Sequence, residues 1–193
     1  MSLQGKIRIL LQPLGSLEND LTYQVSLRLN EMFRYFEFVT SHKHFELPTH
    51  ALNKSRGQYN SSIVLDELLR LYNRGFFGNY QRVVGLADVD AYVLGLNFVF
   101  GEALLGGPVA AVYLARLRSE FYGGLHDREL LVERTCKEVV HELGHTFGLR
   151  HCPNPRCVMH FSNTILDVDF KEVLFCLRCQ STLMQSLASI TIL

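Results

Sequence analysis

The chain has 193 residues, 48% of them hydrophobic, which suffices for one domain with a sizeable core. Its 19 Lys and Arg balance 19 Asp and Glu, so no positive field is on offer for a nucleic acid or an anionic membrane surface. No stretch approaches the roughly 20 apolar residues that span a bilayer, and the run from Lys6 to Leu11 is too short for a secretory start.

In chain order, Ile7 to Gln12 predicts a buried first strand. Asn19 or Asp20 is placed to cap a helix carrying Leu21, Val25, Leu29, Met32 and Phe33 at helical spacing. Phe36 to Thr40 predicts a second strand, and the polar segment Thr49 to Asn60 a mobile surface loop. Ser61 or Ser62 should cap a second helix with Leu65, Leu68, Leu69 and Tyr72 on one side, ended by Gly75. Three apolar runs follow: Val83 to Ala87, Leu96 to Phe100, and Val109 to Leu117. They are continuous rather than alternating, as strands covered on both faces are. Leu104 to Gly107 is a Gly-rich loop between the last two. A third helix should run from about Asp127 to Phe147, with Val132, Cys136, Val139, Val140 and Leu143 on its apolar stripe. Beyond Gly148 come two cysteine pairs and one more helical stretch. The order predicts an α/β (α+β) fold with a mixed, mostly parallel sheet and one antiparallel member.

The chemistry concentrates in His141-Glu142-Leu143-Gly144-His145-Thr146-Phe147-Gly148-Leu149-Arg150-His151. His141 and His145, four apart on a helix, project from one face and can share one zinc ion. Glu142 is rotated off that direction and is free to act as general base on a metal-activated water. Gly148 can take the left-handed conformation that turns the chain back, so that His151 supplies a third nitrogen. Three protein ligands leave one position open, which is the catalytic arrangement of zinc.

Four of the five cysteines, Cys152, Cys157, Cys176 and Cys179, form two close pairs. A closed site of four thiolates would hold a second, structural zinc and staple a C-terminal part too small to fold on its own core. Two disulfides are the competing reading, disfavoured by the missing secretory start. The step from His151 to Cys152 would couple the two metal sites mechanically. The fifth cysteine, Cys136, is expected in the core.

The extended histidine motif resembles that of the metzincin clan of zinc peptidases. With Cys152, Cys157, Met159 and the pair Cys176 and Cys179 added, residues 141–179 are similar to the archaemetzincin family. The resemblance implies a metzincin-like single domain with the active-site helix beneath a twisted sheet. It implies an N-terminal subdomain over 1–148 and a zinc-stapled C-terminal subdomain over 149–193. It makes Met159 the Met-turn residue, a hydrophobic floor under the histidines. It also implies an antiparallel edge strand, expected within Asn97 to Gly101, that takes substrate backbone as an added strand.

The function expected is therefore hydrolysis of peptide bonds by a zinc metallopeptidase with two zinc ions per chain. It would act on peptide or protein substrates as a cytoplasmic monomer, with no nucleic-acid or membrane partner. The alternative is a zinc-stabilised protein-interaction module whose catalytic site is latent or vestigial. Glu142 argues against it, because a binding module needs no base. Arg150, His160, Tyr113 and Tyr122 are candidates for substrate or oxyanion contacts, and His42, His44 and His50 for a further metal site, but the sequence alone assigns none of them.

Overall fold

The structure, a computed structural model, describes residues 6–190. In chain order its elements are β1 (Ile7–Leu14), α1 (Asn19–Met32), β2 (Phe36–Thr40), β3 (Leu52–Asn53), β4 (Gln58–Asn60), α2 (Ser61–Asn73), β5 (Arg82–Ala87), β6 (Ala91–Tyr92), β7 (Gly101–Ala103), β8 (Val109–Tyr113), α3 (Arg128–Thr146), α4 (Ile165–Phe170) and α5 (Leu177–Ile190).

The main sheet has the order β2-β1-β5-β8-β7. The first four strands are parallel and β7 is antiparallel to β8, as the strand and helix order predicted. The continuous apolar runs are explained by the period of two. Val84, Leu86, Ala110 and Val112 face one core with Ile9, Leu11 and residues of α1 and α3. Their neighbours Val83, Ala87, Val109, Ala111 and Tyr113 face a second core with Val64, Leu65 and Leu68 of α2. Covering both faces is what a parallel sheet requires. Residues beyond α3 (Cys157, Val158, Met159, Val168, Leu183 and Leu187) join the first core, so the C-terminal part is continuous with the layer that holds α3.

Several local expectations need correction. The run Leu96 to Phe100 is not a strand. The Asn97 carbonyl accepts from the side chains of Arg56 and Gln58, Val99 makes a lone bridge to Ala91, and the edge strand begins only at Gly101. Val109 to Leu117 leaves the sheet at Tyr113 and ends in a short 3-10 turn over Ala115–Leu117. The segment Thr49 to Asn60 is a hydrogen-bonded hairpin, β3 on β4, extended by β6 into a small second sheet. Helix α2 is capped by Asn60, whose side chain accepts from the Ser62 N–H, rather than by Ser61 or Ser62. Helix α1 begins after Glu18 without a side-chain cap, and Asp20 instead pairs with Arg128 of α3. Gly75 does end α2, at φ +73°.

Helix α4 was not foreseen. It starts in a capping box between Thr164 and Asp167 and is tied to α3 by polar bonds. Arg134 donates to both carboxylate oxygens of Asp169 at 2.7 Å and to the Leu117 carbonyl at 2.9 Å. Just past α4, the fully buried Lys171 places its Nζ 2.8 Å from Oε1 of Glu138 on α3. Among the described residues no helix is long and apolar enough to cross a membrane.

Candidate metal centres

Helix α3 carries the histidine motif and is fixed at both ends. Asp127 caps its start by accepting from the Leu130 N–H at 2.9 Å. At its end Phe147 is followed by Gly148 at φ +84°, the left-handed turn the motif called for. The chain then runs back past the helix face and brings His151 beside the other two rings. The ring centroids lie 5.4 Å apart for His141 and His151, and 4.9 Å apart for His145 and His151. One nitrogen from each of the three histidines lies within 4.8 Å of the others.

The hydrogen bonds determine which nitrogens point inward. Nδ1–H of His141 donates to the Val158 carbonyl, and Nδ1–H of His145 to the Leu149 carbonyl, each at 2.7 Å. A carbonyl only accepts, so each Nδ1 must carry the proton. The Nε2 atoms are then lone-pair acceptors, yet they face each other at 3.1 Å. Two acceptors at that distance repel unless a cation lies between them. Burial holds His141 and His145 well below the ordinary imidazole range, His145 at about 4, and lowers His151 too. Neutral imidazoles with fixed tautomers are the form a metal ion binds, and the backbone carbonyls supply their orientation.

Glu142 is buried on the same helix, with its carboxylate against β7. Burial raises its carboxyl well above the ordinary range, and the nearby Glu138 adds to the effect. The approach is close because residue 101 has no side chain: a Cβ there would fall 2.5 Å from Oε1 of Glu142. Glu142 and the three histidines line a cleft of about 740 Å³. Its walls are mostly apolar, including Phe98, Phe100, Leu105 and Phe161, and Glu138 and Arg150 also reach it.

The second cluster lies in the loop after the third histidine and at the start of α5. The sulfurs of Cys152, Cys157, Cys176 and Cys179 are all within 4.8 Å of one another. All four are free thiols, and the Cys152 and Cys176 sulfurs are 3.8 Å apart, far beyond an S–S bond of about 2.05 Å. Four mutually close thiols suit a closed tetrahedral metal site. The Cys176 N–H donates to the Cys157 sulfur at 3.3 Å, a bond that favours the thiolate.

Met159 is fully buried beneath α3, where its sulfur rests on Gly144. A Cβ at 144 would collide with that sulfur. Gly101 and Gly144 were both missed as site residues. The only sign of Gly144 was an interior helix glycine with no turn to make. The carbonyls of Leu149 and Val158 were missed as well, and so was the pair of Glu138 and Lys171. Among the unassigned candidates, Tyr113 donates to Ser61 in the core on the far side of the sheet. His160 turns to the Cys152 carbonyl, and Tyr122 donates to the Arg116 carbonyl. His42, His44 and His50 do not assemble; the two clusters above are the only such groups among the described residues. Cys136 is core, its thiol pushed up to about 12 by burial.

A helix that gathers three histidines under a sheet with an antiparallel edge strand defines a class, the zinc metallopeptidases of the metzincin type. Comparison with known proteins narrows it. The profile of Peptidase family M54 matches residues 10–185. The archaemetzincin of Methanocaldococcus jannaschii is 41% identical over 173 residues, 90% of each chain. The crystal structure of archaemetzincin from Methanopyrus kandleri superposes with a TM-score of 0.80 at 40% identity, covering 95% of this chain and 96% of that one. A zinc-dependent peptidase from Methanocorpusculum labreanum gives a TM-score of 0.80 at 29% identity, covering 91% and 99%. The chain belongs to peptidase family M54, the archaemetzincins.

Proposed function

We propose that the chain hydrolyses peptide bonds with a catalytic zinc held by His141, His145 and His151 and with Glu142 as general base, and that Cys152, Cys157, Cys176 and Cys179 hold a second, structural zinc. The observation that carries this reading is the pair of inward Nε2 lone pairs 3.1 Å apart, each on a ring whose other nitrogen is already committed to a carbonyl. A bound zinc ion supplies Lewis acidity and lowers the pKa of coordinated water toward about 7.

The chain's own residues do the rest. Glu142 accepts the proton of the attacking water and returns it to the leaving amine. Its burial among apolar walls keeps bulk water from competing for that proton. The edge strand offers the substrate a backbone partner. Phe100 and Leu104 bond to Tyr113 and Val109 of β8. In an antiparallel ladder this leaves the N–H and C=O of Gly101 and Ala103 facing away from the sheet. An extended peptide laid there would run past Glu142. Met159, packed under Gly144, would serve as the floor of the site.

The same reading makes the protein a monomer working in the cytoplasm, a setting in keeping with five cysteines that are all unbridged. The test joins metal analysis to a peptide-library digest, with wild type set against Glu142→Ala. Two zinc ions per chain, and cleavage lost in the variant while both ions stay, is the expected result. Equal cleavage by the variant would refute the assigned base.

A further inference from the structure

The segment between the two clusters belongs to both. Cys152 and Cys157 give their sulfurs to the thiol group, and Val158, the next residue, gives its carbonyl to Nδ1–H of His141 at 2.7 Å. Met159 follows and seats its sulfur under Gly144, three residues along the same helix. The loop is therefore pinned to α3 at two successive residues, one orienting a histidine ring and one supporting the helix between the two histidines.

The loop is held by the thiol cluster, by burial of Val158 and Met159 in the core, and by a set of hydrogen bonds. Its backbone bonds run from Cys152 N–H to the Met159 carbonyl at 2.9 Å, Cys157 N–H to the Asn154 carbonyl at 3.0 Å, His160 N–H to the Cys157 carbonyl at 2.9 Å, Val158 N–H to the Leu174 carbonyl at 3.1 Å, and Glu172 N–H to the Arg156 carbonyl at 2.9 Å. His160 adds a ring bond to the Cys152 carbonyl at 3.0 Å. Each of these ends on a cysteine or on a residue within two positions of one. The loop contains no regular secondary structure. Cys157, bonded directly to Val158 in the chain, thus shares in placing the Val158 carbonyl, and with Cys152 it is drawn toward Cys176 and Cys179 at the start of α5.

We propose that Cys157 and Cys152 are positioning residues for the histidine centre: metal held by the four thiolates fixes the Val158 carbonyl, and through it the ring of His141, so the thiolate site must be filled for the histidine site to bind its ion tightly. This rests on the two-site reading given above. A hydrogen-bonding partner of a metal-bound histidine typically changes metal affinity by roughly 10- to 100-fold. Coupling of two binding equilibria is reciprocal, so an ion on the histidines must tighten the thiolate site by the same factor.

The test measures zinc affinity at each site by chelator competition, with Co²⁺ substitution to report the ligand geometry at the histidines. In Cys157→Ser, checked for folding by its melting transition, zinc affinity at the histidine site should fall roughly 10- to 100-fold, with an altered Co²⁺ visible spectrum. The second arm leaves every thiol intact. His145→Ala empties the histidine site from the helix side, and the thiolate site should lose affinity by the matching factor. A cysteine cluster that merely stabilised the fold would not respond to His145→Ala. This arm therefore decides the matter where Cys157→Ser does not fold. Two sites that both bind zinc, with thiolate-site affinity within threefold of wild type in His145→Ala, would overturn the coupling alone. Wild-type protein that binds no zinc at its histidines would overturn the two-site reading, and the coupling with it.

Discussion

The close approach of Glu142 to the edge strand gives the most exacting test of the site. In Gly101→Ala the new Cβ would fall 2.5 Å from Oε1, 2.6 Å from Cγ and 2.7 Å from Cδ of Glu142. Ordinary van der Waals contact starts near 3.4 Å, so the carboxylate must retreat by about 0.9 Å. The atoms it meets all belong to the Glu142 side chain and none to the backbone, so the expected adjustment is a turn of that side chain into the cleft, with the fold kept. Residue 101 has no positive φ, so alanine adds no backbone strain. Catalysis should suffer, because a misplacement of about 1 Å in a reacting group can reduce the rate on the order of 10²-fold. That corresponds to about 2.7 kcal/mol of transition-state stabilisation. The assay is kcat/KM on a quenched-fluorescent peptide chosen from a library digest, with zinc content and the melting temperature measured on the same preparation. The expected result is a loss near 10²-fold with both controls unchanged. A kcat/KM within threefold of wild type would refute the placement of Glu142 as the working base. A loss of zinc or of melting temperature in step with activity would show that residue 101 acts on the fold instead.

Two further outcomes follow from buried charge. Lys171 is wholly buried and its ammonium has the Glu138 carboxylate as ion-pair partner, so Lys171→Met leaves a buried, unpaired anion on α3. Breaking such a pair costs about 3–5 kcal/mol, while removing both charges is often nearly neutral. The urea midpoint should fall sharply in Lys171→Met and return toward wild type in Lys171→Met with Glu138→Leu; a single variant as stable as wild type would contradict the pairing. In metal-free protein, burial keeps His141, His145 and His151 below the unfolded imidazole value of about 6.5. Below that pH the unfolded chain takes up protons that the folded chain refuses, so stability is full above about 6.5 and declines as pH falls toward His145's value of about 4. Glu142, raised by burial, works in the opposite sense, but it is one carboxyl against three imidazoles. Denaturant midpoints of the metal-free protein at pH 7.5 and pH 5 should therefore be lower at pH 5, and an equal or higher value there would show the histidines to be solvated.

The fold was legible where side-chain pattern follows backbone geometry. Strands β1, β5 and β8 announce themselves because a parallel sheet covered on both faces needs apolar residues at every position. The stripe of α3 is legible for the corresponding helical reason. The misreading at Leu96 to Phe100 has a physical cause. That run is as apolar as a buried strand, but its side chains wall a cleft: Phe98 and Phe100 meet edge to face, and the guanidinium of Arg116 lies 4.3 Å over the Phe98 ring. Composition does not distinguish a residue buried in a core from one lining a groove. The hairpin within Thr49 to Asn60 was hidden for the converse reason. It is held by polar side chains, such as Gln58 donating to Asp90 and to the Asn97 carbonyl, and leaves no apolar period to read.

The site divides along a similar line. His141, Glu142, His145, His151 and the four cysteines could be singled out because their chemistry demands particular side chains at particular spacings. What holds them in place is carried by groups that every residue has or that glycine lacks. The carbonyls of Val158 and Leu149 set the two tautomers, and any residue would present a carbonyl at those positions. Gly101 and Gly144 act by leaving room, the first for a carboxylate and the second for a sulfur. Gly148 was the exception, since its left-handed turn was needed to bring the third histidine back. So the motif specifies which atoms react, while the loop over 152–160 and the edge strand decide where those atoms stand. Variants at Gly101 and Cys157 therefore probe the arrangement of the site more directly than removal of the histidines, which would only confirm that a ligand is a ligand.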